Sequence, residues 1–256
     1  MILAFDTSTK ACSVAVGQGN GEVLGQTLVH EAHYVHAERL LPMIDALLGE
    51  HSLPRSAITA VAFSGGPGSY TGLRIGASTA KAIAHAAGVP ILPVDTCEAV
   101  AAGAVRRGDA RPGMHVYATL DARRMEVYTA GFLVTAGGGL ERIGETKAAV
   151  VEGEGVISVD EAFPQISSAD QGACFVGDGA LKLAELLAEE GRRFVDAVPE
   201  ARDVLGLGAS QWADGGEGDL AYFEPTYLKE FAAALPKNPL GLGRLSRDRM
   251  PEHLRS

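Results

Sequence analysis

Cysteines and long apolar runs are scarce in this chain of 256 residues. The three cysteines are an odd number, lie far apart and form no CxxC pair, which argues against both a disulfide framework and a zinc site. No run of about 18 apolar residues occurs, so no membrane span is expected. The first residues carry no basic segment, which argues against a signal peptide. We therefore expect a protein of the reducing cytoplasm.

Basic residues are also few, with 22 Lys and Arg against 32 Asp and Glu and a net charge of −10. Nucleic-acid-binding proteins usually present a basic face, so a large phosphate-binding surface is disfavoured here. The balance reverses in residues 229–256, which hold six basic and three acidic residues. Residues 1–228 therefore hold 16 basic and 29 acidic residues. Because this stretch is also rich in Pro and Gly, we predict a loosely ordered tail.

The remaining sequence predicts alternating strands and helices. Apolar runs at 2–6, 13–16 and 23–29 indicate three strands, and a helical apolar period follows in 33–51. The resulting order, β-β-β-α-β-α-β-α in the first part of the chain, is that of the ribonuclease-H-like lobe of actin and sugar kinases. We predict an α/β protein of the actin-like ATPase fold, with two lobes that each hold a mixed β-sheet flanked by helices. The predicted lobes span 1–104 and, less regular and smaller, 105–228.

The turn after the first strand reads Asp6-Thr7-Ser8-Thr9. Actin-like ATPases place a D-x-G-x-[ST] turn here, in which glycine lets backbone N–H groups approach a phosphate. Ser8 occupies the glycine position in this chain. Two interpretations stay open, namely a residual nucleotide or phosphate contact and a polar turn that caps the hairpin.

A glycine string, 65–76, lies between a predicted strand and a predicted helix. Its N–H groups and the helix dipole suit an anion, which makes Gly66, Gly68 and Ser69 candidate phosphate contacts. The string is not a P-loop, because no Gly-Lys-[Ser/Thr] follows. It is not a nucleophile elbow either, because Pro67 and Thr71 stand where glycines are required. The alternative is a connecting loop.

Several strings of this chain resemble the bacterial TsaB family, also called YeaZ. The resemblance is collinear over residues 1 to about 230, and the glycine string is its most specific part. It implies a role in making threonylcarbamoyladenosine in tRNA, next to the anticodon. The matching pieces are Ile2–Thr9, Cys12–Ala15, His36–Ile44, Gly66–Gly76, Leu120–Arg123, Glu126–Tyr128, Gly177–Gly179 and Pro225–Leu228.

The resemblance also implies the partners. They are a catalytic TsaD-like paralogue and a TsaE-like ATPase. Alternatively, the chain associates with itself as a homodimer. Contact with tRNA is expected to be indirect, through the complex. The chain is expected to need no cofactor of its own, although ATP or ADP is predicted at the interface of the assembled complex.

Similarity to TsaD-like chains tests whether this chain is an enzyme by itself. Those chains carry two metal-binding histidines in a V-[N/D]-H-x-E-G-H string, and the matching segment here is 94–100. Thr96 and Val100 stand at the histidine positions, and neither replaces an imidazole ligand. With Ser8 in the phosphate turn as well, we expect no catalytic residues, no bound metal and no activity of the chain alone.

What remains is a surface for a partner. The first long helix carries apolar residues at i, i+3, i+4 and i+7, and the helix after the glycine string is rich in small residues that permit close approach. Two such helices can form a four-helix interface with two helices of a partner. The same stripes also suit packing on the chain's own sheet. The predicted interface residues are Leu40, Met43, Ile44, Leu47, Arg74, Ala77, Ser78 and Lys81.

Two other functions stay open on the sequence. An independent ATPase or small-molecule kinase of the actin-like superfamily would use Asp6 and the glycine string. A peptidase, as the older glycoprotease label of the superfamily suggests, would use Ser69, but no histidine–acid partner for that serine can be named.

Overall fold

The computed structural model describes residues 1–31, 35–150, 162–163, 172–188 and 191–228. The predicted tail, 229–256, lies outside the described residues. Within the described part of the chain, no helix is long and apolar enough to cross a membrane.

The first sheet has five strands in the order β3-β2-β1-β4-β5. β1, β2 and β3 form an antiparallel meander, and β4 and β5 then run parallel to β1. Every residue of β1, β2 and β4 is buried, as expected for central strands covered by helices on both faces. The strands are β1 (Ile2–Asp6), β2 (Ala11–Gly17), β3 (Val23–His30), β4 (Ala60–Gly66) and β5 (Ile91–Asp95).

Two helices cover one face of this sheet and a third covers the other. α1 (His36–Glu50) and α2 (Tyr70–Ala87) pack on the side of Leu3 and Phe5. Ser69 caps α2 at its start, where its Oγ accepts a hydrogen bond from the Gly72 N–H, and Gly88 ends the helix in the left-handed conformation. The opposite face, on the side of Ile2 and Ala4, is covered mainly by the last helix, residues 201–213.

The second sheet repeats the arrangement of the first. Its order is β10-β9-β6-β7-β8, in which β6, β7 and β8 form an antiparallel meander and β9 and β10 run parallel to β6. Each sheet therefore has a meander followed by two parallel strands added beside its first strand. The strands are β6 (His115–Asp121), β7 (Glu126–Val134), β8 (Leu140–Val150), β9 (Ala173–Val176) and β10 (Arg192–Val195).

Helix α3 (Thr96–Arg107) lies between the two sheets. Its Cys97, Val100 and Ala104 pack on the second sheet, and Ala99 packs on the first. The short helix α4 (Ala184–Leu187), preceded by a 3-10 turn, covers the far face of the second sheet, and α5 (Ala201–Ala213) follows.

The predicted fold class is confirmed, because two mixed sheets flanked by helices form the described molecule. The second sheet is as large as the first in strand number, although the sequence predicted a smaller second lobe. Helix α5 falls within the range predicted for the second lobe, yet it packs on the first sheet. The lobe boundaries at 104 and 228 stay predictions.

After α5 the chain returns along the first sheet as a strap, residues 218–228. Gly218 pairs with Ile91 of β5. Phe223 packs edge-on against Phe63, with ring centroids 5.1 Å apart. The Thr226 N–H donates a hydrogen bond of 2.8 Å to the Gly65 carbonyl, which fixes the strap beside the glycine string.

Candidate functional site

The turn after β1 is closed by its own hydrogen bonds. Asp6 is fully buried, and its two carboxylate oxygens accept hydrogen bonds from the Ser8 N–H at 3.2 Å and the Ser8 hydroxyl at 2.8 Å. The Ala11 N–H donates to the Thr9 hydroxyl oxygen. Both N–H groups are thus used within the turn, which is the geometry of a side-chain-capped β-turn.

The glycine string lets the start of α2 press against this turn. The Ser69 N–H donates a hydrogen bond of 2.6 Å to the Ser8 carbonyl, and the Thr7 hydroxyl donates one of 2.8 Å to the Gly72 carbonyl. A Cβ at Gly68 would lie 2.6 Å from the Ser8 carbonyl oxygen, and one at Gly72 would overlap the Thr7 carbonyl oxygen. Glycine is required at both positions because two backbones meet there.

Helix α1 is anchored to the same turn through His36. Its ring Nε2 lies 2.8 Å from the Thr9 carbonyl oxygen, and the side chain is 1% exposed. Burial lowers the pKa of His36, so the neutral ring is favoured and Nε2 donates the hydrogen bond. One turn therefore holds the starts of both α1 and α2.

A cleft of about 340 Å³ opens between the two sheets, beside this turn. Equivalent loops of the two sheets face each other across it, namely the β1–β2 turn and the glycine string on one side and the β6–β7 turn and the loop after β9 on the other. Of the predicted nucleotide contacts, Ser8, Thr9, Gly68 and Ser69 line the cleft, whereas Asp6, Thr7 and Gly66 do not. Their role as contacts stays a prediction.

Lys182 ties together the far side of the cleft. Its Nζ lies 2.6 Å from an Asp121 oxygen and donates to the carbonyl oxygens of Arg124 and Glu126. Asp178 accepts a hydrogen bond of 2.8 Å from the Asp121 N–H. The β6–β7 turn is thereby held in one conformation, with Arg123 and Arg124 in the left-handed region.

Three carboxyl groups near the cleft respond differently to their surroundings. Burial raises the pKa of Asp6 to about 7, and the more distant charge of Asp178 acts in the same direction. Burial also raises the pKa of Asp178. The pKa of Asp121 is lowered in spite of its partial burial, because Lys182 and the Arg123 N–H stabilise the ionised form. Of these three groups, Asp121 and Asp178 line the cleft.

The segment aligned with the metal-binding string of TsaD-like chains does not fit a metal. Thr96 and Val100 are buried in the interior. Asp95 caps α3, and its carboxylate and that of Glu98 lie 3.2 Å and 3.6 Å from the Arg142 guanidinium of β8. In the described residues, no three His, Cys, Asp or Glu side chains come together as metal ligands.

The predicted orientation of α1 is wrong. Leu40, Met43, Ile44 and Leu47 are at most 8% exposed, because they pack into the core against the first sheet. Ala77 of α2 is buried in the same core. The stripe at i, i+3, i+4 and i+7 is the inward face of α1, and its outer face carries Leu41, which is 56% exposed.

The other predicted interface residues do face outward. Arg74 and Ser78 are exposed and Lys81 is half-buried, one helical turn apart along α2. Arg74 donates a hydrogen bond to the Tyr70 hydroxyl, and Lys81 donates one to the Ala221 carbonyl of the strap. Their contact with a partner stays a prediction.

Comparison with known proteins identifies the family. A family model described as TsaD, tRNA N6-adenosine threonylcarbamoyltransferase, matches residues 29–235. The chain is 34% identical over 240 residues to the tRNA threonylcarbamoyladenosine biosynthesis protein TsaB of Escherichia coli, an alignment that covers 91% of this chain and 96% of that protein. The chain belongs to the TsaB family.

Two further TsaB-family relatives agree with this assignment. The TsaB protein of Haemophilus influenzae is 42% identical over 128 residues, which cover 50% of this chain and 51% of that protein. The structure of YeaZ from Pseudomonas aeruginosa matches with a TM-score of 0.73 at 32% identity, over 89% of this chain and 99% of that one. The sequence-based assignment to the TsaB (YeaZ) family and the fold expected from it are confirmed.

The aromatic walls of the cleft were not predicted from the sequence. Tyr70 and Tyr227 lie with their ring centroids 4.9 Å apart on one wall, and Tyr128 lines the cleft as well. Tyr227 reaches this place only because the strap returns along the first sheet. Tyr128 and Pro225–Leu228 both belong to the matching strings, and that is the one signal that pointed to them.

Proposed function

We propose that this chain is a non-catalytic partner subunit that binds a TsaD-like paralogue and so supports threonylcarbamoyl transfer to the tRNA adenosine next to the anticodon. The name of the Escherichia coli relative and the description of the matched family model support the pathway. The non-catalytic role is supported by the residues at the aligned metal-ligand positions, Thr96 and Val100, whose side chains are buried and are not metal ligands there.

The observation that carries the proposal is an apolar groove of about 630 Å³ along α1 and α2. Leu41 and Ile83 line it, with Asp45 and Arg55 at its edge. Leu41 is the one exposed large apolar side chain of α1, at 56% exposure. An exposed apolar groove with a charged rim is typical of a protein–protein contact.

Small side chains on the outer face of α2 support a helix–helix contact. Ser78, Ala82, Ala86 and Ala87 are exposed. Helices approach each other closely where the facing side chains are small, so two partner helices can pack beside α1 and α2 as in a four-helix bundle. Such a contact buries the groove and Leu41 together.

Analytical ultracentrifugation tests this proposal. The chain is mixed with its TsaD-like paralogue at micromolar concentration, and each protein is also sedimented alone. We expect a new one-to-one species with the unmodified chain. Leu41→Asp should remove that species, because an unpaired carboxylate would be buried at the contact.

Leu181→Asp is the matched control. Leu181 is 58% exposed, close to the value for Leu41, but it lies beside the second sheet and far from the groove in the fold. It should associate like the unmodified chain. Association that survives Leu41→Asp, or that never forms, would contradict the proposed role of this face.

A TsaE-like ATPase and an adenine nucleotide at the assembled interface belong to the same proposal. The sedimentation experiment is therefore repeated with ATP or ADP and with the TsaE-like protein. A larger species that requires nucleotide is the expected result, and a TsaE-like protein that sediments alone in every mixture would remove it from the proposal.

A further inference from the structure

Three tyrosines make the walls of the cleft between the sheets aromatic. Tyr70 and Tyr227 form one wall, with their rings tilted by 39°, and Tyr128 of β7 belongs to the facing sheet. Tyr70 and Tyr227 are 37% and 41% exposed, so their rings remain partly open. Half-exposed aromatic rings in a cleft are suited to stacking on a flat ligand.

The mouth of this cleft is basic and its floor is acidic. Lys10 and Arg123 are exposed, line the cleft and belong to opposite sheets. The carboxyl groups of Asp121 and Asp178 line the same cleft, are less exposed and form its floor. Asp121 is paired with the Lys182 ammonium, and Asp178 accepts a hydrogen bond from the Asp121 N–H. A ligand that fits this pattern has a flat ring with hydrogen-bond donors inside and negative charge outside.

We propose that this cleft binds a nucleobase from a single-stranded segment of RNA. The base stacks on Tyr227 and faces Tyr128, its amino groups donate to the floor carboxylates, and the flanking phosphates lie near Lys10 and Arg123. The choice of RNA as the source rests on the proposed function in tRNA modification. The chain would then contact tRNA itself, which goes beyond a subunit that reaches tRNA only through its partner.

The floor argues against a free nucleoside triphosphate as the occupant. Polyphosphate chains are bound by cations and by free backbone N–H groups. The N–H groups of Ser8, Ala11 and Ser69 bond within the protein, and the Lys182 ammonium beside the floor is already paired with Asp121 and with two carbonyl oxygens. A base inside with phosphates at the mouth does not depend on these donors.

Tyr227 can be changed without releasing the strap that carries it. Phe223 and Thr226 hold the strap through the Phe63 ring and the Gly65 carbonyl. Tyr227→Leu keeps an apolar side chain of similar bulk but removes the aromatic face, and Tyr227→Phe keeps the face. The pair separates stacking from structural support.

Fluorescence anisotropy with the full chain tests the proposal. The probe is a labelled stem–loop RNA with an unpaired loop, and the comparison is a blunt duplex of equal phosphate count, both at low ionic strength. We expect the stem–loop to bind more tightly than the duplex. Tyr227→Leu should weaken stem–loop binding by about tenfold, since one stacked base contributes that order of affinity. Tyr227→Phe should bind like the unmodified chain.

Tyr222→Leu is the control, because Tyr222 lies on the same strap, is 84% exposed and does not line the cleft. It should leave RNA binding unchanged. Equal affinity for loop and duplex, an unchanged affinity of Tyr227→Leu, no binding of the stem–loop, or displacement of the RNA by equimolar ATP would each overturn the proposal.

Two of these variants separate RNA binding in the cleft from association with the TsaD-like paralogue. Tyr227→Leu should still form the one-to-one species with the TsaD-like paralogue, and Leu41→Asp should still bind the stem–loop RNA. Loss of both properties in either variant would show that a single surface serves both contacts, which contradicts the separate cleft site.

Discussion

Arg106 holds Asp203 by two hydrogen bonds, from Nε at 2.7 Å and from a terminal nitrogen at 2.9 Å. The same guanidinium donates to Glu200 at 2.7 Å, so α3, which lies between the two sheets, is tied to α5, which covers the first sheet. The Asp203 side chain is only 6% exposed, and no other cation is close enough in the described residues to form an ion pair with it.

Removal of the guanidinium should destabilise the fold. Arg106→Ala leaves the buried carboxylate of Asp203 without its partner, and we expect the free energy of unfolding to fall by about 3 kcal/mol. Urea denaturation measures the change. Arg55→Ala, which breaks an exposed ion pair with Asp45, is the control and should cost much less stability than Arg106→Ala. Equal losses in the two variants would contradict the special role of Arg106.

The buried carboxyl group of Asp6 makes the free energy of unfolding depend on pH. Burial raises the folded-state pKa of Asp6 to about 7, whereas the unfolded carboxyl group ionises near its ordinary value of 3.8. Between these values the unfolded state releases a proton that the folded state keeps. The stability from this group is therefore fully present below about pH 4 and is lost as the pH rises toward 7, by about 1.4 kcal/mol for each unit of pKa difference.

Asp6→Asn isolates this contribution, because the amide does not titrate. We expect the free energy of unfolding of the unmodified chain to fall relative to that of Asp6→Asn as the pH rises from about 4 to about 7. Chemical denaturation at several pH values gives both curves. Parallel curves over this range would mean that Asp6 keeps an ordinary pKa in the folded protein.

Gly72 should not tolerate a side chain. A methyl group there would overlap the Thr7 carbonyl, which belongs to the backbone and cannot rotate away. We expect Gly72→Ala to lower the free energy of unfolding by about 1–3 kcal/mol or more. Gly49→Ala in α1, where nothing lies within 4 Å of the new methyl, should instead stabilise by up to about 1 kcal/mol. Thermal unfolding followed by circular dichroism compares the two, and a stabilised Gly72→Ala would refute the close contact.

The two faces of α1 should respond differently to a carboxylate. Met43 is 8% exposed and Leu41 is 56% exposed. Met43→Asp places a charge in the core and should abolish or strongly weaken cooperative unfolding, whereas Leu41→Asp should unfold like the unmodified chain. Denaturation of both variants in the absence of any partner is the measurement. Similar stabilities would reverse the assignment of the inward face.

The sequence predicted the elements of the first sheet well, because local signals determine them. The apolar runs at 2–6, 13–16 and 23–29 fall on β1, β2 and β3, and the helical period of 33–51 falls on α1. The repeat of the strand order in the second sheet was missed, since pairing order depends on contacts between distant segments.

The orientation of α1 could not be predicted from its pattern alone. A stripe at i, i+3, i+4 and i+7 describes a buried face equally well whether the sheet or a partner covers it. The candidate phosphate contacts were predicted only on the side of the first sheet. Tyr227 and Tyr128 are far apart in sequence, and only the fold brings them near the glycine string.

The place of α5 has a consequence for synthesis on the ribosome. Ile2, Ala4, Ala62 and Leu92 of the first sheet are covered by α5, whose residues 201–213 are translated more than a hundred residues after β5. Until that helix leaves the exit tunnel, this apolar face of the first sheet lacks its main cover. The first lobe therefore completes its folding only late in translation, and the nascent chain exposes this apolar face until α5 docks.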